Sequence, residues 1–521
     1  MSTSDNTLPP MSGASPDDLY AMHAAIRPHK LALACGERSL TYAQLNARAN
    51  RVANALSKLG VQANDRVAVM AYNSLEGVEI SVGLSKLRAI NVPVNFRLRE
   101  REVAYIINDC GAKVVLIGPE LVNVVEQARE EINDQPACIA IGGEAPANWL
   151  QYEDLLASAS ENAWTGVERF GSSMNYTSGT TGNPKGAYRP RNVPIQDIIQ
   201  MIQAFELSES DVHLMAGPNY HSAPGFFVSV NFLLGATVIV QPKFDAEQAL
   251  QLIDHHRITS TFMAPTLLQR LCDVPDEVAA TYDTSSMRTL ILGGAPCPYA
   301  LKVRATERLG SCLWEFYGAT ETGVVTILRP EDQLRKPGSC GKVASGQEIR
   351  LLDGAGKPVP DGTPGEMWVR NSWLAEYYHK PEATSKSMRE GLFSVGDIAY
   401  RDSEGYYFIC DRKIDMIISG GVNIYPAEIE AVLHAHPAVA DVAVIGVPDT
   451  QWGESVKAVV ALRPGASASA GELIAFCTER LADYKKPRSV DFVDELPRNP
   501  AGKLLKSKIR EPYWVGVGRS I

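Results

Sequence analysis

Helix-like and strand-like patterns alternate along the first half of the chain. Apolar residues recur at helical spacing over residues 42–59 and 75–86, and shorter apolar runs at 66–72 and 89–93 are typical of buried strands. Strands separated by helices of this length predict parallel sheets that are covered on both faces. Further short buried strands are predicted at residues 113–117, 212–215, 237–241, 260–264 and 289–293.

The pattern changes between about residues 338 and 410, where short strands are punctuated by glycine and proline. Strands predicted at 348–352, 365–370 and 406–410 favour a small antiparallel barrel or sheet. A compact unit follows Arg412. Its predicted helices are 426–434 and 470–481, and its predicted strands are 442–447 and 457–462.

These patterns predict an α/β protein. Two or more domains are expected, because 521 residues are too many for one hydrophobic core. A large N-terminal domain at 18–411 is expected to contain two α/β subdomains with parallel sheets and a β-barrel-like subdomain at about 338–410. A small α+β domain is expected at 412–521, and residues 1–17 are expected to form a disordered tail.

Composition and net charge limit the kinds of partner that the protein is expected to bind. Apolar residues make up 45% of the chain and charged residues 21%, as in ordinary globular proteins, and the net charge of −10 argues against a nucleic-acid partner. Nine scattered cysteines without a C-x-x-C pair indicate reduced thiols in the cytoplasm rather than disulfides or a zinc site. The first 26 residues lack lysine and arginine, so neither a secretory signal nor a transit peptide is expected. The apolar run at 226–240 is too short for a transmembrane segment and is predicted to be a buried helix followed by a strand.

The segment from Thr177 to Gly186 reads TSGTTGNPKG and directly follows a short strand predicted at 172–176. Its glycines allow a ligand to approach the backbone closely, while hydroxyls, backbone N–H groups and Lys185 can bind phosphate. A polar surface turn is the alternative, since the same residue types form turns. The segment differs from the P-loop of common ATPases, because Pro184 precedes the lysine and Gly186 follows it.

This string resembles the signature of the adenylate-forming enzymes, the superfamily of acyl-CoA synthetases, luciferases and peptide-synthetase adenylation domains. The resemblance covers roughly residues 20–510, with five motifs in the family's order. It implies that the large domain is an AMP-binding domain and that the small domain rotates. The loop residues that would bind ATP are Thr177, Ser178, Gly179, Thr180, Thr181, Gly182 and Lys185.

A second small-residue loop runs from Tyr317 to Gly323 and contains one carboxylate, Glu321. Mg²⁺ prefers oxygen ligands together with substrate phosphates, so Glu321 is the predicted metal ligand beside ATP. Tyr317 presents a flat ring on which adenine could stack. A surface turn with a solvated acid is the alternative. The nucleotide-binding residues predicted in this region are Gly294, Ala295, Pro296, Tyr317, Gly318, Thr320 and Glu321.

Two later motifs complete the nucleotide and CoA sites that the resemblance implies. Asp397, in Ser-Val-Gly-Asp, would bond the ribose hydroxyls, as would Arg412. The glycine loop at Ser419, Gly420 and Gly421 would line the CoA path. Two positions depart from the family pattern: Asp411 stands where glycine is frequent, and Ile414 occupies the hinge position, which is more often aspartate or lysine.

Lys503 lies in the segment LPRNPAGKLLK, which resembles the C-terminal segment that carries the adenylation lysine. A phosphoryl centre under attack by a carboxylate gathers negative charge, which a positioned cation offsets. Lysine in a polar segment is otherwise a solvated charge. The resemblance assigns catalytic roles to Lys503, Lys185 and Glu321, and it places His221 as a gate between the acyl carboxylate and the nucleotide.

The acyl end is predicted near His221, where the sequence is apolar and contains no aspartate to pair with a substrate amine. An unpaired ammonium would be costly there, so a neutral fatty, aryl or other apolar acyl group is favoured over an amino acid. Glycines near this segment are expected to leave room for a bulky or long group. The predicted pocket residues are His221, Ala223, Gly225, Phe226, Gly293 and Gly318. Trp452 is interpreted as a packing or CoA-side residue.

The resemblance therefore implies an ATP-, Mg²⁺- and CoA-dependent acid–CoA ligase of the AMP-forming type. The carboxylate attacks the α-phosphate of ATP, and the CoA thiol then attacks the acyl-adenylate. The alternatives are an adenylating enzyme that loads a carrier protein, an adenylate-only activity and a catalytically idle nucleotide-binding homologue. The expected partners are small molecules, with no nucleic acid and no transmembrane segment, and a homodimer is left open.

Overall fold

The computed structural model describes residues 18–164, 173–177, 183–190, 193–419, 422–498 and 504–515. Its helices often begin at polar caps: Thr41 and Gln44 form a capping box at the start of the second helix, as do Ser469 and Glu472 near the C-terminus. The helices are α1 (Leu19–Ile26), α2 (Tyr42–Lys58), α3 (Leu75–Leu87), α4 (Glu100–Cys110), α5 (Val122–Ala128), α6 (Tyr152–Ala157), α7 (Ile195–Ala204), α8 (Ser222–Leu234), α9 (Ala246–His256), α10 (Pro265–Cys272), α11 (Asp276–Ala279), α12 (Tyr299–Leu309), α13 (Pro381–Ser387), α14 (Pro426–His434), α15 (Ala470–Thr478) and α16 (Lys506–Trp514).

The strands are short in the first two thirds of the chain and longest near the C-terminus. They are β1 (Leu31–Cys35), β2 (Arg38–Thr41), β3 (Arg66–Met70), β4 (Ile90–Pro93), β5 (Val114–Ile117), β6 (Ala137–Ala140), β7 (Leu150–Gln151), β8 (Ser173–Thr177), β9 (Lys185–Arg189), β10 (Val212–Met215), β11 (Thr237–Val240), β12 (Ser260–Met263), β13 (Thr289–Leu292), β14 (Leu313–Ala319), β15 (Gly323–Leu328), β16 (Lys342–Val343), β17 (Glu348–Leu352), β18 (Gly365–Arg370), β19 (Glu376–Tyr377), β20 (Met388–Arg389), β21 (Leu392–Phe393), β22 (Asp397–Arg401), β23 (Tyr407–Arg412), β24 (Ile417–Ser419), β25 (Val422–Ile424), β26 (Val439–Asp449), β27 (Gly453–Leu462) and β28 (Ser489–Phe492).

Two large sheets form the centre of the N-terminal part. One is parallel, with strand order β4-β3-β5-β6-β7. The other has nine strands in the order β16-β15-β14-β13-β12-β10-β11-β1-β2, and it is parallel from β14 to β1. Buried apolar clusters cover both sheets, because the strands between the helices are apolar on both faces.

Three smaller sheets complete the fold. Strands β17, β18 and β20 to β23 form a six-stranded antiparallel sheet, and β19, β9 and β8 form a three-stranded one. The C-terminal sheet has the order β25-β24-β27-β26, with β28 parallel to β27. The predicted α/β class, with parallel sheets followed by a small α+β unit, is confirmed.

The apolar run at 226–240 forms the end of α8 and then β11, as predicted. Gly235 ends the helix with a φ of +76°, a backbone conformation that favours glycine. Across the described ranges, no helix combines the length and the apolar character that crossing a membrane requires. The nine cysteines are all free of disulfide bonds.

Candidate active site

The structure brings Thr177, Lys185, Glu321 and Tyr377 together at one corner, here called the phosphate corner. Thr177 and Lys185 are paired across the β8–β9 hairpin, so both flank the loop between these strands. The Thr177 hydroxyl lies 3.5 Å from Glu321 Oε1, and the Tyr377 hydroxyl donates to the same oxygen at 3.1 Å. Lys185 Nζ lies 4.8 Å from the centre of the Tyr377 ring. A hydroxyl, an ammonium and a buried carboxylate therefore meet where the sequence predicts triphosphate and metal.

Several of the predicted site residues lie outside the part of the chain that the structure describes. The structure describes the two ends of the glycine-rich loops but not their centres. The site residues that lie outside the described residues are Ser178, Gly179, Thr180, Thr181, Gly182, Gly420, Gly421 and Lys503.

Three successive backbone carbonyls hold the Glu321 loop in place. Arg189 donates to the carbonyl of Thr320, and the Ala375 amide donates to that of Glu321 at 2.8 Å. The Asn371 side chain donates to the carbonyl of Thr322 at 3.0 Å. The position of Glu321 is thus fixed from two other parts of the chain, β9 and the segment 371–375.

Arg189 belongs to the candidate site by its contacts but was not predicted from the sequence. Its guanidinium also donates to the carbonyl of Trp373, and burial lowers its pKa to about 10. Side chains alternate along a strand, so Lys185, Ala187 and Arg189 share one face of β9. A second cation on the face of the phosphate-binding lysine was the available signal. For Tyr377 and Asn371 no local signal existed, because their contacts join segments far apart in sequence.

Tyr317, Asp397 and Arg412 form a second group, the ribose corner. The Tyr317 hydroxyl donates to Asp397 Oδ2 at 2.6 Å, and Arg412 Nε lies 3.5 Å from Asp397 Oδ1. Burial and the neighbouring Asp397 raise the pKa of Tyr317 well above its usual range. Asp397 and Arg412 come from β22 and β23, which pair at these residues. Two predicted ribose ligands and the predicted adenine platform are therefore in contact.

The Gly293–Pro296 loop lies beside this corner, because β13 and β14 are parallel and Leu292 pairs with Glu315. Glu315 and Lys302 form a buried ion pair behind the loop, and burial raises the pKa of Glu315. Gly294, Ala295 and Pro296 are exposed at the carboxyl end of β13. Ligands in open α/β sheets bind at such carboxyl ends, so this loop faces the side where a nucleotide is expected.

His221 stands directly before α8, and Tyr220 packs on it with ring centres 4.4 Å apart. Burial and the nearby Arg97 lower the pKa of His221 to about 4, so its imidazole is neutral at neutral pH. The next residue, Ser222, has its hydroxyl 3.3 Å from that of Thr320. The start of α8 therefore adjoins the Glu321 loop.

The glycines predicted at the acyl end lie in close contact with other segments, and the room they leave for a bulky or long group stays a prediction. A Cβ atom on Gly318 would lie 2.0 Å from the carbonyl oxygen of Gly323, and one on Gly293 would lie 2.7 Å from the Phe316 ring. At Gly225 it would lie 3.0 Å from the Asn219 side chain. These glycines allow the neighbouring segments to approach the backbone closely. Sequence could not show this, because the neighbours come from other segments.

The junction after β23 contains buried charges. Asp411 accepts a hydrogen bond from the Ala427 amide at the start of α14 at 2.9 Å, and it lies 3.9 Å from Lys506 of α16. Lys506 also pairs with Glu430 at 2.9 Å. Burial raises the pKa of Asp411 to about 6. Ile414, the predicted hinge residue, is 53% exposed in the turn that follows.

Two residues that the sequence predicts on the CoA side, Ser419 and Trp452, lie at the C-terminal sheet. Ser419 ends β24, where it pairs with Val422 across the glycine loop and with Gly453 of β27. Trp452, next to Gly453, is 39% exposed and has Arg488 at 5.5 Å from its ring centre. Trp452 is thus at the surface beside the glycine loop, not in a core.

The donor set at the phosphate corner fits Mg²⁺. Over the described ranges, no group of three or more histidine, cysteine, aspartate or glutamate side chains is arranged to hold a metal ion by itself. Glu321 offers one carboxylate, 7% exposed, beside a phosphate-binding loop. Mg²⁺ is commonly bound by one or two carboxylates together with substrate phosphates and water, which is what this corner allows.

This fold and this arrangement of loops define the class of adenylate-forming enzymes. The family model of the AMP-binding enzyme matches residues 20–379, and that of the AMP-binding enzyme C-terminal domain matches residues 428–503. The chain belongs to the AMP-binding enzyme family.

Named relatives span nearly the whole chain. A feruloyl-CoA synthase of Amycolatopsis sp is 37% identical over 94% of this chain and 97% of its own length. The long-chain-fatty-acid–CoA ligase FadD13 of Mycobacterium tuberculosis is 38% identical over 92% of this chain and 94% of its own. The ATP-bound structure of MatB from Rhodopseudomonas palustris is 32% identical, covers 95% of this chain and 98% of that chain, and has a TM-score of 0.85.

Proposed function

We propose that this chain is an ATP-dependent acid–CoA ligase whose phosphate and ribose corners bind one ATP molecule. In the first step the acid's carboxylate attacks the α-phosphate, which forms the acyl-adenylate and releases pyrophosphate. In the second step the CoA thiol attacks the acyl carbonyl, gives up its proton and displaces AMP. The observation that carries this proposal is the meeting of Thr177, Lys185 and Glu321 beside the Tyr317–Asp397–Arg412 group.

The residues of the phosphate corner act by position and charge. Lys185 and the hydroxyl of Thr177 hold the β- and γ-phosphates that leave as pyrophosphate. Glu321 would hold Mg²⁺, which when bound neutralises phosphate charge. The protein supplies no nucleophile, since the substrate carboxylate and the CoA sulfur provide both. Catalysis is therefore orientation plus electrostatic stabilisation in a fixed site.

The ribose corner fixes the other end of the nucleotide. Asp397 and Arg412 are in contact at 3.5 Å, so a ribose hydroxyl pair can bond both. Tyr317 has its hydroxyl engaged by Asp397 at 2.6 Å, which holds the ring in one orientation. Such a fixed ring is a suitable face for adenine, with the Gly294–Pro296 loop beside it.

The C-terminal unit supplies the remaining residues. Lys503 is proposed to offset charge at the reacting α-phosphate, and Ser419, Gly420 and Gly421 to line the CoA path. We propose a division between a large domain at 18–411 and a mobile domain at 412–521; the tail predicted at 1–17 lies outside the described residues. The buried polar contacts of Asp411 with Ala427 and Lys506 lie at this division.

The acid is proposed to carry an apolar acyl group, because apolar and aromatic side chains surround the start of α8. The relatives include a feruloyl-CoA synthase and a long-chain-fatty-acid–CoA ligase, whose names cover aryl and fatty acids. A cytoplasmic location, with which the nine free cysteines agree, and a homodimer are also proposed.

The experiment separates the two half-reactions. Pyrophosphate exchange into ATP, dependent on an added acid, reports adenylate formation, and dependence of product on CoA reports ligation. Lys503→Ala should abolish adenylate formation and leave thioester formation from supplied acyl-adenylate largely intact. Lys508→Ala, an exposed lysine five residues away, is the matched control and should retain both activities. Equal loss of both half-reactions in Lys503→Ala would contradict the role of Lys503, and acid-independent exchange would contradict the ligase.

A further inference from the structure

Aromatic side chains of this chain occupy much of the space beyond the start of α8. Ser222 contacts Thr320, and Phe226 lies one helical turn further along the same face of α8. Ala223 and Phe226 are half-buried there and pack against a buried apolar cluster. An acyl group attached to a carboxylate near His221 would extend along these residues.

Two large rings pack against this part of α8, Phe316 against Phe227 and Trp373 against Phe226. The Phe316 ring lies against Gly293, where an added Cβ would be 2.7 Å from ring carbons. The Trp373 side chain lies against Gly323, where an added Cβ would be 3.0 Å away, and its ring meets Phe226 edge to face at 5.4 Å. Phe316 itself is half-buried, so part of its ring remains available for contact.

Behind Phe316 the rings are packed closely. Phe227, only 1% exposed, stacks on Phe262 with ring centres 5.7 Å apart and contacts Phe205 at 5.5 Å. Phe316 contacts Phe262 at 6.1 Å and closes the side of this group that faces Gly293. A long, flexible chain could pass only by displacing buried rings, which a close-packed interior resists.

We propose that Phe316 and Trp373 select compact, flat acyl groups, so that the preferred substrate is an aryl or arylalkyl carboxylic acid and not a long unbranched fatty acid. This proposal rests on the ligase function above. A ring of the substrate can meet the faces and edges of Phe226, Phe316 and Trp373 in the offset or edge-to-face geometry that aromatic groups prefer. A rigid ring also loses fewer rotamers than an alkyl chain when it is bound.

The test compares acids of equal carbon number. Phenylacetate and octanoate have the same number of carbon atoms, so their ratio of kcat/KM in acid-dependent pyrophosphate release reports shape rather than size. Dodecanoate and palmitate extend the series. The wild-type enzyme should prefer phenylacetate over octanoate by about tenfold or more, because packing differences of this size give such ratios.

Phe316→Ala should open the route to the rings behind it. The variant should raise kcat/KM for dodecanoate about tenfold relative to phenylacetate and leave the KM for ATP unchanged. Phe316→Leu makes a smaller change in the same direction and serves if the alanine variant does not fold. Phe244→Ala removes a half-buried phenylalanine outside the site and should keep the wild-type ratio.

The outcomes separate the pocket from the function. Preference for octanoate or longer acids in the wild type, or an unchanged ratio in both Phe316 variants, overturns the selection by Phe316 and Trp373 while the ligase function stands. No acid-dependent pyrophosphate release with any acid of the series overturns the ligase function itself.

Discussion

Replacing Tyr377 by phenylalanine removes a single hydroxyl group from the surroundings of Glu321. That hydroxyl donates to Glu321 Oε1 at 3.1 Å, whereas the Thr177 hydroxyl is more distant, at 3.5 Å. The ring is retained, so the contact with Lys185 Nζ at 4.8 Å from the ring centre is retained as well. The substitution therefore tests one interaction, the orientation of the proposed metal ligand.

The size of the effect follows from the role of such partners. Removing a group that orients a metal ligand costs about 10–100-fold in metal affinity or activity. A hydrogen bond to a charged group contributes about 1.5–3 kcal/mol, which corresponds to the same range. Glu321 is also held through its backbone carbonyl by Ala375, so only part of its orientation depends on Tyr377. We expect the lower end, about a tenfold rise in the Mg²⁺ concentration needed for half-maximal rate.

The assay measures pyrophosphate release at a saturating acid concentration while free Mg²⁺ is varied. Calorimetric titration with ATP, with and without Mg²⁺, provides a binding measurement that does not depend on turnover. Tyr377→Phe should weaken binding of Mg·ATP about tenfold and leave binding of metal-free ATP nearly unchanged. Thioester formation from supplied acyl-adenylate should also be unchanged, since it needs no triphosphate.

Tyr282→Phe is the matched control. Its hydroxyl donates to Glu247 at the same distance, 3.1 Å, but on the surface and away from the site. If Tyr377→Phe behaves like Tyr282→Phe in both measurements, Glu321 is not the metal ligand or Tyr377 does not orient it. A weakening of metal-free ATP binding equal to that of Mg·ATP would also refute the reasoning, because the effect would then not involve the metal.

Three further predictions follow from other residues. Arg189→Met removes the donor to the carbonyls of Thr320 and Trp373, which should cost about 1.5–3 kcal/mol for each hydrogen bond. Thermal unfolding should show lower stability, and the pyrophosphate-release assay should show a higher KM for Mg·ATP. Arg189→Lys should recover part of both losses. Burial raises the pKa of Asp411 from 3.8 to about 6, so the folded protein binds this proton more tightly than the unfolded chain does. The free energy of unfolding should therefore fall as pH rises through this interval. Asp411→Asn should remove up to about 3 kcal/mol of that fall, as measured by denaturant titrations at several pH values. Because the pKa of His221 is lowered to about 4, the pH profile of adenylation should lack a His221 limb near 6.5, and a limb there that vanishes in His221→Gln would contradict this.

The secondary structure could be predicted from the sequence where one pattern dominates. The helix predicted at 42–59 is α2 (Tyr42–Lys58), and the strand predicted at 212–215 is β10. Both are long or apolar enough for the spacing to decide. The pairing of β19 with β9 was not predicted, because these two strands are separated by nearly 190 residues and pairing partners leave no local pattern.

The candidate site was predicted only where its residues lie in dense motifs. The contacts of Thr177, Lys185 and Glu321 agree with their prediction from two loops. Arg189, Asn371 and Tyr377 were missed, because each acts on a group in another segment. The acyl end is a second case in which contacts between distant segments could not be predicted. Gly293 is predicted to line the acyl pocket, and its close neighbour Phe316 comes from β14, whose register against β13 leaves no local pattern in the sequence.

The Glu321 loop and the junction at Asp411 are held by different contacts, and the difference fits the proposed chemistry. Charge stabilisation works best when the groups need not reorganise, and the Glu321 loop meets this need through bonds to three successive carbonyls. At Asp411 the C-terminal unit contacts the large one through an amide and a lysine. Polar contacts can be exchanged for others or for water at a smaller cost than buried apolar area, so the rotation proposed around residue 414 can move Lys503 without disturbing the bound phosphates.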